Sequence, residues 1–141
     1  MKRKSTAHWQ GGLKDGKGTL TSDSGVLSET QYSFHTRFED GKGTNPEELI
    51  AAAHAGCFTM ALSGELGKAN MTADAIDTVA TVTMEMLEGG PTVTEIHLDV
   101  TAKISGAEQA AFTTAADTAK KNCPISRLLN AKITMDAKLE A

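Results

Sequence analysis

Two cysteines, Cys57 and Cys123, are the residues of this 141-residue chain best suited to chemistry. Cys123 directly precedes Pro124, a residue that suits the first position of a helix. A cysteine at such a position lies beside free backbone amides and the positive end of the helix dipole, which favour a thiolate. Cys57 lies inside a predicted helix and lacks that help, so it would need a nearby cation. Arg37 is the best candidate for that cation.

A different interpretation of the same residues remains open, because buried cysteines often serve only as small hydrophobic side chains. His54 precedes Cys57 by three residues, so both lie on one helix face. That spacing permits a Cys–His ion pair or half of a metal site. His8, His35 and His97 lie on separate predicted strands and supply no second ligand cluster, so a structural histidine is favoured.

The stretch over residues 44–67 predicts one long helix that positions Cys57. Asn45 can cap the first free amides, Pro46 suits the first helical position, and Glu48 can complete a capping box. Gly67 is the expected end, which gives a helix of about twenty residues. Its many alanines and glycines would let other backbones approach closely, so we expect this helix at the centre of the fold.

Glu47 is a carboxylate near the start of the same helix. It precedes Cys57 by ten residues, which is about 15 Å along a helix axis and about 80° around it. Glu47 therefore cannot easily serve the thiol of its own helix. If it acts at a Cys57 site, we expect a second subunit to bring it there.

The remaining pattern predicts a single α+β domain over residues 1–141 with antiparallel sheets. Short strands separated by glycines are expected near the start, where Gly16 and Gly18 mark turns. Alternating polar and apolar residues then predict longer strands, of which the second and third form an antiparallel hairpin. A helix starting at Ser105 with Glu108 as its capping-box partner and a short helix over residues 125–129 complete the prediction. The predicted longer strands are residues 32–38, 76–87, 93–104 and 132–140.

Composition excludes several classes of protein. The net charge is −4 and the basic residues are scattered, which indicates no nucleic-acid partner. No apolar run near the roughly 20 residues of a membrane span is evident, and no signal peptide opens the chain, so we expect a cytoplasmic protein without a membrane partner. Because cytoplasmic thiols stay reduced, a structural disulfide is not expected. No motif predicts a cofactor or a metal ion.

Two separated motifs, each carrying a cysteine, resemble the osmotically inducible protein C (OsmC) family. The first motif spans residues 42–58 and the second spans residues 122–126. Shorter matches at residues 7–9, 16–19, 24–27 and 36–39 extend the resemblance over essentially the full length. Gly56 is a mild departure, since alanine is commoner there in the family.

The resemblance implies an OsmC-like fold, in which antiparallel β-sheets wrap around central helices in an intertwined homodimer with shared active sites. It implies a thiol-dependent peroxidase, a peroxiredoxin-like enzyme that prefers organic hydroperoxides to hydrogen peroxide. The position matching Cys57 is the peroxidatic nucleophile, and the one matching Cys123 resolves it. Positions matching Arg37 and Glu47 complete the site, and the glutamate comes from the other subunit.

The implied mechanism forms a sulfenic acid on Cys57 and then a Cys57–Cys123 disulfide. Arg37 would lower the pKa of Cys57 and orient the peroxide, while Glu47 would hold the guanidinium. A dithiol reductant, of the lipoyl type in relatives, reopens the disulfide, and the role is defence against oxidative and osmotic stress. Phe58 and small residues near Cys57 would favour an apolar pocket. The alternative function is a non-catalytic dimeric protein that binds a small ligand.

Overall fold

A computed structural model describes residues 1–140 as two units, residues 1–49 and the residues from Ile50 onward. The first unit contains a three-stranded antiparallel sheet in the order β1-β2-β3. The first two strands confirm two of the short strands predicted near the start of the chain. Their bounds are Ser5–Gln10 for β1, Lys17–Ser22 for β2 and Thr30–Tyr32 for β3.

Gly18 on β2 allows two aromatic rings to pack across this sheet. The ring centroids of Trp9 and Tyr32 are 5.5 Å apart. A Cβ atom at Gly18 would lie 2.4 Å from Tyr32 Cε1 and 2.7 Å from Trp9 Cε3. Only glycine therefore fits beneath this aromatic pair.

Helix α1, Phe34–Phe38, replaces the strand predicted over residues 32–38. Ser33 caps it, because the Thr36 N–H donates to Ser33 Oγ at 3.3 Å and the Ser33 N–H donates to Thr36 Oγ1 at 2.8 Å. This reciprocal pair is a capping box with threonine in the usual glutamate position. The strand prediction was wrong beyond Tyr32 because the alternation was weighted above this local capping signal.

Helix α2, Pro46–Lys68, is the long helix predicted for the cysteine-bearing stretch. Its start is confirmed, since the Glu48 N–H donates to Asn45 Oδ1 at 2.8 Å. The Glu48 carboxylate does not return to the cap amide and instead accepts a hydrogen bond from Thr44 Oγ1 at 2.6 Å. The division between the two units falls within α2, after Leu49.

Helix α2 ends at Lys68, one residue after the predicted end at Gly67. The chain leaves the helix at Asn70, whose φ of 58° is the left-handed conformation of a helix C-terminus. The Met71 N–H then donates to the Leu66 carbonyl at 2.9 Å, which closes the end. Asparagine tolerates this conformation, so glycine is not required there.

By length and composition α2 could cross a membrane, and it is the one such helix in residues 1–140. This corrects the expectation that no apolar run reaches that length. The many alanines raise the hydropathy of α2 without adding bulk. Helices in the core of a protein can be equally long and apolar, and Phe58, Leu62 and Leu66 of α2 are completely buried.

The second unit contains a sheet in the order β4-β5-β6. Strands β4 and β5 form the predicted antiparallel hairpin, and β6 has the predicted bounds. However, β6 runs parallel to β5, which differs from the all-antiparallel expectation. The crossover between them carries helices α3 and α4, as a parallel connection requires. The bounds are Ala75–Leu87 for β4, Gly90–Lys103 for β5, Gln109–Asn122 for α3, Pro124–Leu128 for α4 and Lys132–Glu140 for β6.

Helix α3 starts four residues later than predicted. Ser105 lies outside it, Gly106 has a φ of 70°, and Glu108 is the residue before its first turn. The predicted capping box is therefore wrong. At the other end, Cys123 closes α3 and directly precedes α4, which opens at Pro124 as predicted.

The core of the second unit forms between one face of β5 and the helices. The α+β class is confirmed by this arrangement of helices on sheet. Alternate β5 side chains are buried, and the same cluster includes residues of α2 and α3 together with Cys123. The completely buried large side chains are Phe58, Leu62, Leu66, Ile96, Leu98 and Phe112.

Candidate active site

Arg37 and Glu47 form an ion pair within the first unit. Arg37 Nη2 donates to Glu47 Oε1 at 2.8 Å, and Arg37 Nε donates to the same oxygen at 3.1 Å. The Glu47 side chain is only 15% exposed, so little water competes for the carboxylate. The pair holds the guanidinium in one orientation, with its other N–H groups available to a ligand.

Asn45 ties the two helices that carry this pair. Its side-chain amide donates to the Thr36 carbonyl at 2.9 Å, while its Oδ1 accepts the Glu48 N–H. The residue that caps α2 thus also fixes the last turn of α1. This explains why Arg37, although on a helix and not on the predicted strand, meets Glu47.

An apolar cavity of about 310 Å³ lies beside Arg37 in the first unit. The guanidinium carbon of Arg37 is 5.4 Å from the ring centroid of Phe38. Phe58, which was expected to contribute to an apolar pocket, is instead completely buried in the core of the second unit. The side chains lining the cavity include Trp9, Leu13, Tyr32, Phe34, Arg37 and Phe38.

The two cysteines meet in the second unit as free thiols. The Cys57 thiol is partly exposed and lies within hydrogen-bonding reach of the completely buried Cys123 thiol. The backbone amide of Ile125 lies close enough to the Cys57 thiol to lower its pKa. A free amide at the start of α4 therefore serves Cys57, whereas the sequence pattern indicated that environment for Cys123.

Within one chain, burial raises the pKa of the Cys57 thiol above its ordinary value of 9.0. The Ile125 N–H lowers it, while the neighbouring Cys123 raises it further. A nearby cation would oppose these effects and favour the thiolate near neutral pH.

His54 is completely buried and belongs to the same group of residues. Its Nε2 lies 2.7 Å from Ser126 Oγ, whereas its Nδ1 is the one buried side-chain polar atom in residues 1–140 without a partner. Burial lowers the pKa of His54, which keeps the ring neutral at pH 7 and argues against an ion pair with Cys57. Within the part of the chain described, no third ligand completes a metal site there.

Sequence reasoning missed two contributors, the Ser126 hydroxyl and the Ile125 amide. The spacing of Ser126 could have indicated its role. It lies three residues after Cys123, and His54 lies three residues before Cys57. The four predicted site residues occur as two pairs, Arg37 with Glu47 and Cys57 with Cys123. Each pair lies within one unit of the chain.

Residues 39–138 match the family described as OsmC-like protein. The chain belongs to the OsmC-like protein family. The matched region contains Glu47, Cys57 and Cys123, and it begins two residues after Arg37. The family resemblance predicted from the two cysteine motifs is therefore confirmed.

Two named proteins are similar to this chain over most of their length. Peroxiredoxin OsmC of Escherichia coli (strain K12) is 47% identical over 139 residues, which cover 99% of this chain and 97% of that protein. Organic hydroperoxide resistance protein OhrB of Bacillus subtilis is 32% identical over 124 residues, covering 87% and 88%.

Solved structures confirm the OsmC-like fold. An OsmC-like protein from Mycoplasma pneumoniae superposes with a TM-score of 0.77 at 19% identity, covering 100% of this chain and 99% of that one. OhrB of Bacillus subtilis gives a TM-score of 0.69 at 24% identity, covering 97% and 98%.

Proposed function

We propose that Cys57 is the peroxidatic residue of a thiol-dependent hydroperoxide reductase and that Cys123 resolves it. The activity agrees with the OsmC-like family and with relatives named peroxiredoxin and organic hydroperoxide resistance protein. The observation that carries the residue assignment is the proximity of the Cys57 thiol to the Cys123 thiol and the Ile125 amide. A non-catalytic ligand-binding protein is not favoured by these relatives.

The reaction proceeds in two oxidative steps. The Cys57 thiolate attacks one peroxide oxygen, the O–O bond breaks, and the departing alkoxide takes a proton to leave as an alcohol. Cys57 is left as a sulfenic acid. The Cys123 sulfur then attacks Cys57 Sγ, water leaves, and a disulfide forms. An external dithiol reduces that disulfide by thiol–disulfide exchange.

A partner subunit supplies the cation in this proposal. Glu47 lies ten residues before Cys57 on one continuous helix, about 15 Å away along the axis. Since Arg37 and Glu47 are paired within one chain, the partner would deliver both as a preassembled unit. The guanidinium would lower the pKa of Cys57 and bind the peroxide oxygens, and the two active sites of a homodimer would be shared.

The exposed face of α2 supports the homodimer. Beyond the backbone of α2 itself, no atom of the described chain lies within 4 Å of where a Cβ at Gly56 or Gly64 would stand, and Met60 is 79% exposed. Small residues permit close approach of a second backbone, and exposed Met60 offers it apolar surface. A second copy of the chain would bury both.

The cavity beside Arg37 supports a preference for organic hydroperoxides. Its aromatic lining suits an alkyl or aryl group, while the guanidinium suits the peroxide oxygens. Hydrogen peroxide lacks the apolar part and would gain only the polar contacts. We further propose a single domain over residues 1–141, a cytoplasmic location, a lipoyl-type dithiol as reductant, and a role in oxidative and osmotic stress defence.

Peroxide consumption with a dithiol reductant tests the proposal. We expect turnover by the purified protein, faster with cumene hydroperoxide than with hydrogen peroxide, and none with Cys57→Ser. Without the dithiol, Cys123→Ser should consume one equivalent of peroxide and then accumulate the Cys57 sulfenic acid. Ser28→Ala, an exposed substitution outside α2, is the matched control. Full turnover by Cys57→Ser would overturn the assignment.

A further inference from the structure

We propose that His97, Asp99 and Asp136 form a divalent metal site, of the Zn²⁺ type, on the solvent-facing side of the β4-β5-β6 sheet. The proposed ligands are one imidazole nitrogen and two carboxylate oxygens, and neither cysteine takes part. These three groups are the one set in residues 1–140 whose ligand atoms lie close enough together, within 4.8 Å of one another.

The parallel register between β5 and β6 brings the three side chains together. His97 is paired with Thr134, and Asp99 is paired with Asp136. Because side chains alternate along a strand, His97 and Asp99 share the face opposite to the buried Leu98. The sequence did not reveal this set, because the sheet was predicted to be antiparallel and the histidines to lie on separate strands.

The two carboxylates lie directly opposite each other, an arrangement that like charges destabilise. On β4, the residue paired with Asp99 is Val79, which offers no charge. The lysines of β6 are engaged elsewhere, Lys132 with Glu95 at 3.8 Å and Lys138 with Glu140 at 3.5 Å. The imidazole of His97 is close to both carboxylates, either as a proton donor or as a fellow ligand of a cation.

The distances fit a coordination sphere. His97 Nε2 lies 2.9 Å from Asp136 Oδ2 and 3.3 Å from Asp99 Oδ1. Metal–ligand bonds of about 2.1 Å place neighbouring ligand atoms about 3.0 Å apart at octahedral angles and about 3.4 Å apart at tetrahedral angles. Both distances from the imidazole nitrogen therefore already match a coordination sphere, and the two carboxylate oxygens lie within 4.8 Å of each other.

Thr134 orients the imidazole as an outer-shell partner does in metal sites. His97 Nδ1 and Thr134 Oγ1 are hydrogen-bonded. With the proton assigned to Nδ1, the lone pair of Nε2 faces the two carboxylates, where a cation would satisfy all three atoms. Asp136 is 82% exposed, which leaves the outer side open to water ligands. A mixed nitrogen and oxygen set favours Zn²⁺ over Mg²⁺.

Zinc titration of the full chain tests this site. Both cysteines are changed to serine in every variant, because free thiols would also bind zinc. We expect one Zn²⁺ per chain that Mg²⁺ does not displace, and at least about a tenfold weaker affinity in Asp136→Asn and in His97→Gln. Asp77→Asn, an exposed acid on the neighbouring β4, should bind as the parent does. Equal binding by Asp136→Asn would overturn the proposal, as would no saturation up to about 1 mM Zn²⁺.

Nuclear magnetic resonance of the unsubstituted chain provides a test that needs no ligand variant. Zinc should shift the imidazole nitrogens of His97 and leave those of the exposed His8 unchanged. If His97 acts only as a hydrogen-bond donor to the carboxylates, its resonances will not respond to zinc, and the proposal fails.

Discussion

His54 Nε2 lies 2.7 Å from Ser126 Oγ, so one hydrogen bond joins the helix that carries Cys57 to the short helix that follows Cys123. The bond is made inside the second unit, where His54 is completely buried. It therefore helps to fix the position of Cys57 relative to Cys123 without contacting either thiol.

Removing the serine hydroxyl should destabilise the protein. Ser126→Ala leaves the buried His54 ring without its one partner, which costs about 1–3 kcal/mol of unfolding free energy. Urea unfolding at fixed protein concentration measures this loss. Ser126→Thr keeps a hydroxyl and should recover part of it. An unfolding free energy equal to that of the parent in Ser126→Ala would show that the bond does not contribute.

Stability should fall in mild acid because of the same histidine. Burial lowers the pKa of His54 below its ordinary value of 6.5, so near that pH the unfolded chain binds more protons than the folded chain. The stability that His54 contributes is therefore fully present above pH 6.5 and decreases as the pH falls through 6.5 toward the lowered value. His54→Gln should flatten this slope, whereas His8→Gln, an exposed control, should keep it. Equal slopes in all three proteins would contradict the prediction.

Arg37 should control the reactivity of Cys57. Burial raises the pKa of this thiol within one chain, and the guanidinium of a partner would lower it. The rate of alkylation measured against pH should therefore shift to higher pH by about one unit or more in Arg37→Met. Arg3→Met, which changes an exposed arginine, should not shift it. Identical pH profiles for Arg37→Met and the parent would show that Arg37 does not lower the pKa of Cys57.

Glu47 should matter through Arg37. Glu47→Gln removes the charged partner of the guanidinium, a loss of about 1.5–3 kcal/mol in charge-assisted bonding that corresponds to roughly 10–100-fold in kcat/KM for the peroxide. Glu39→Gln changes a carboxylate that bonds to His35 on the surface, and its kinetics should match those of the parent. Equal effects of the two substitutions would point to general charge and not to the ion pair.

The sequence predicted those features that depend on local signals. Asn45, Pro46 and the position of Cys123 before α4 follow from capping chemistry within a few residues, and all three are confirmed. The strand β6 was predicted with its observed bounds, because alternation is a property of the strand itself.

The features that the sequence did not predict depend on competition between local signals or on contacts between residues distant in sequence. Residues 34–38 alternate like a strand, but the capping box at Ser33 selects a helix. The parallel pairing of β6 with β5 depends on how the α3–α4 crossover packs, which no local pattern records. The contact between His54 and Ser126 spans 72 positions, so a spacing rule on either helix could only suggest it.

The backbone of Cys123 also links the end of α3 to the start of α4. Its N–H closes α3 on the Ala119 carbonyl at 2.9 Å, and its own carbonyl accepts the Arg127 N–H at 3.0 Å to open α4. Any rotation of its backbone therefore displaces the ends of two helices at once. The amide resonances of Cys123 and Arg127 should consequently report the redox state, so that isotope-labelled protein can be followed during turnover without a probe on sulfur.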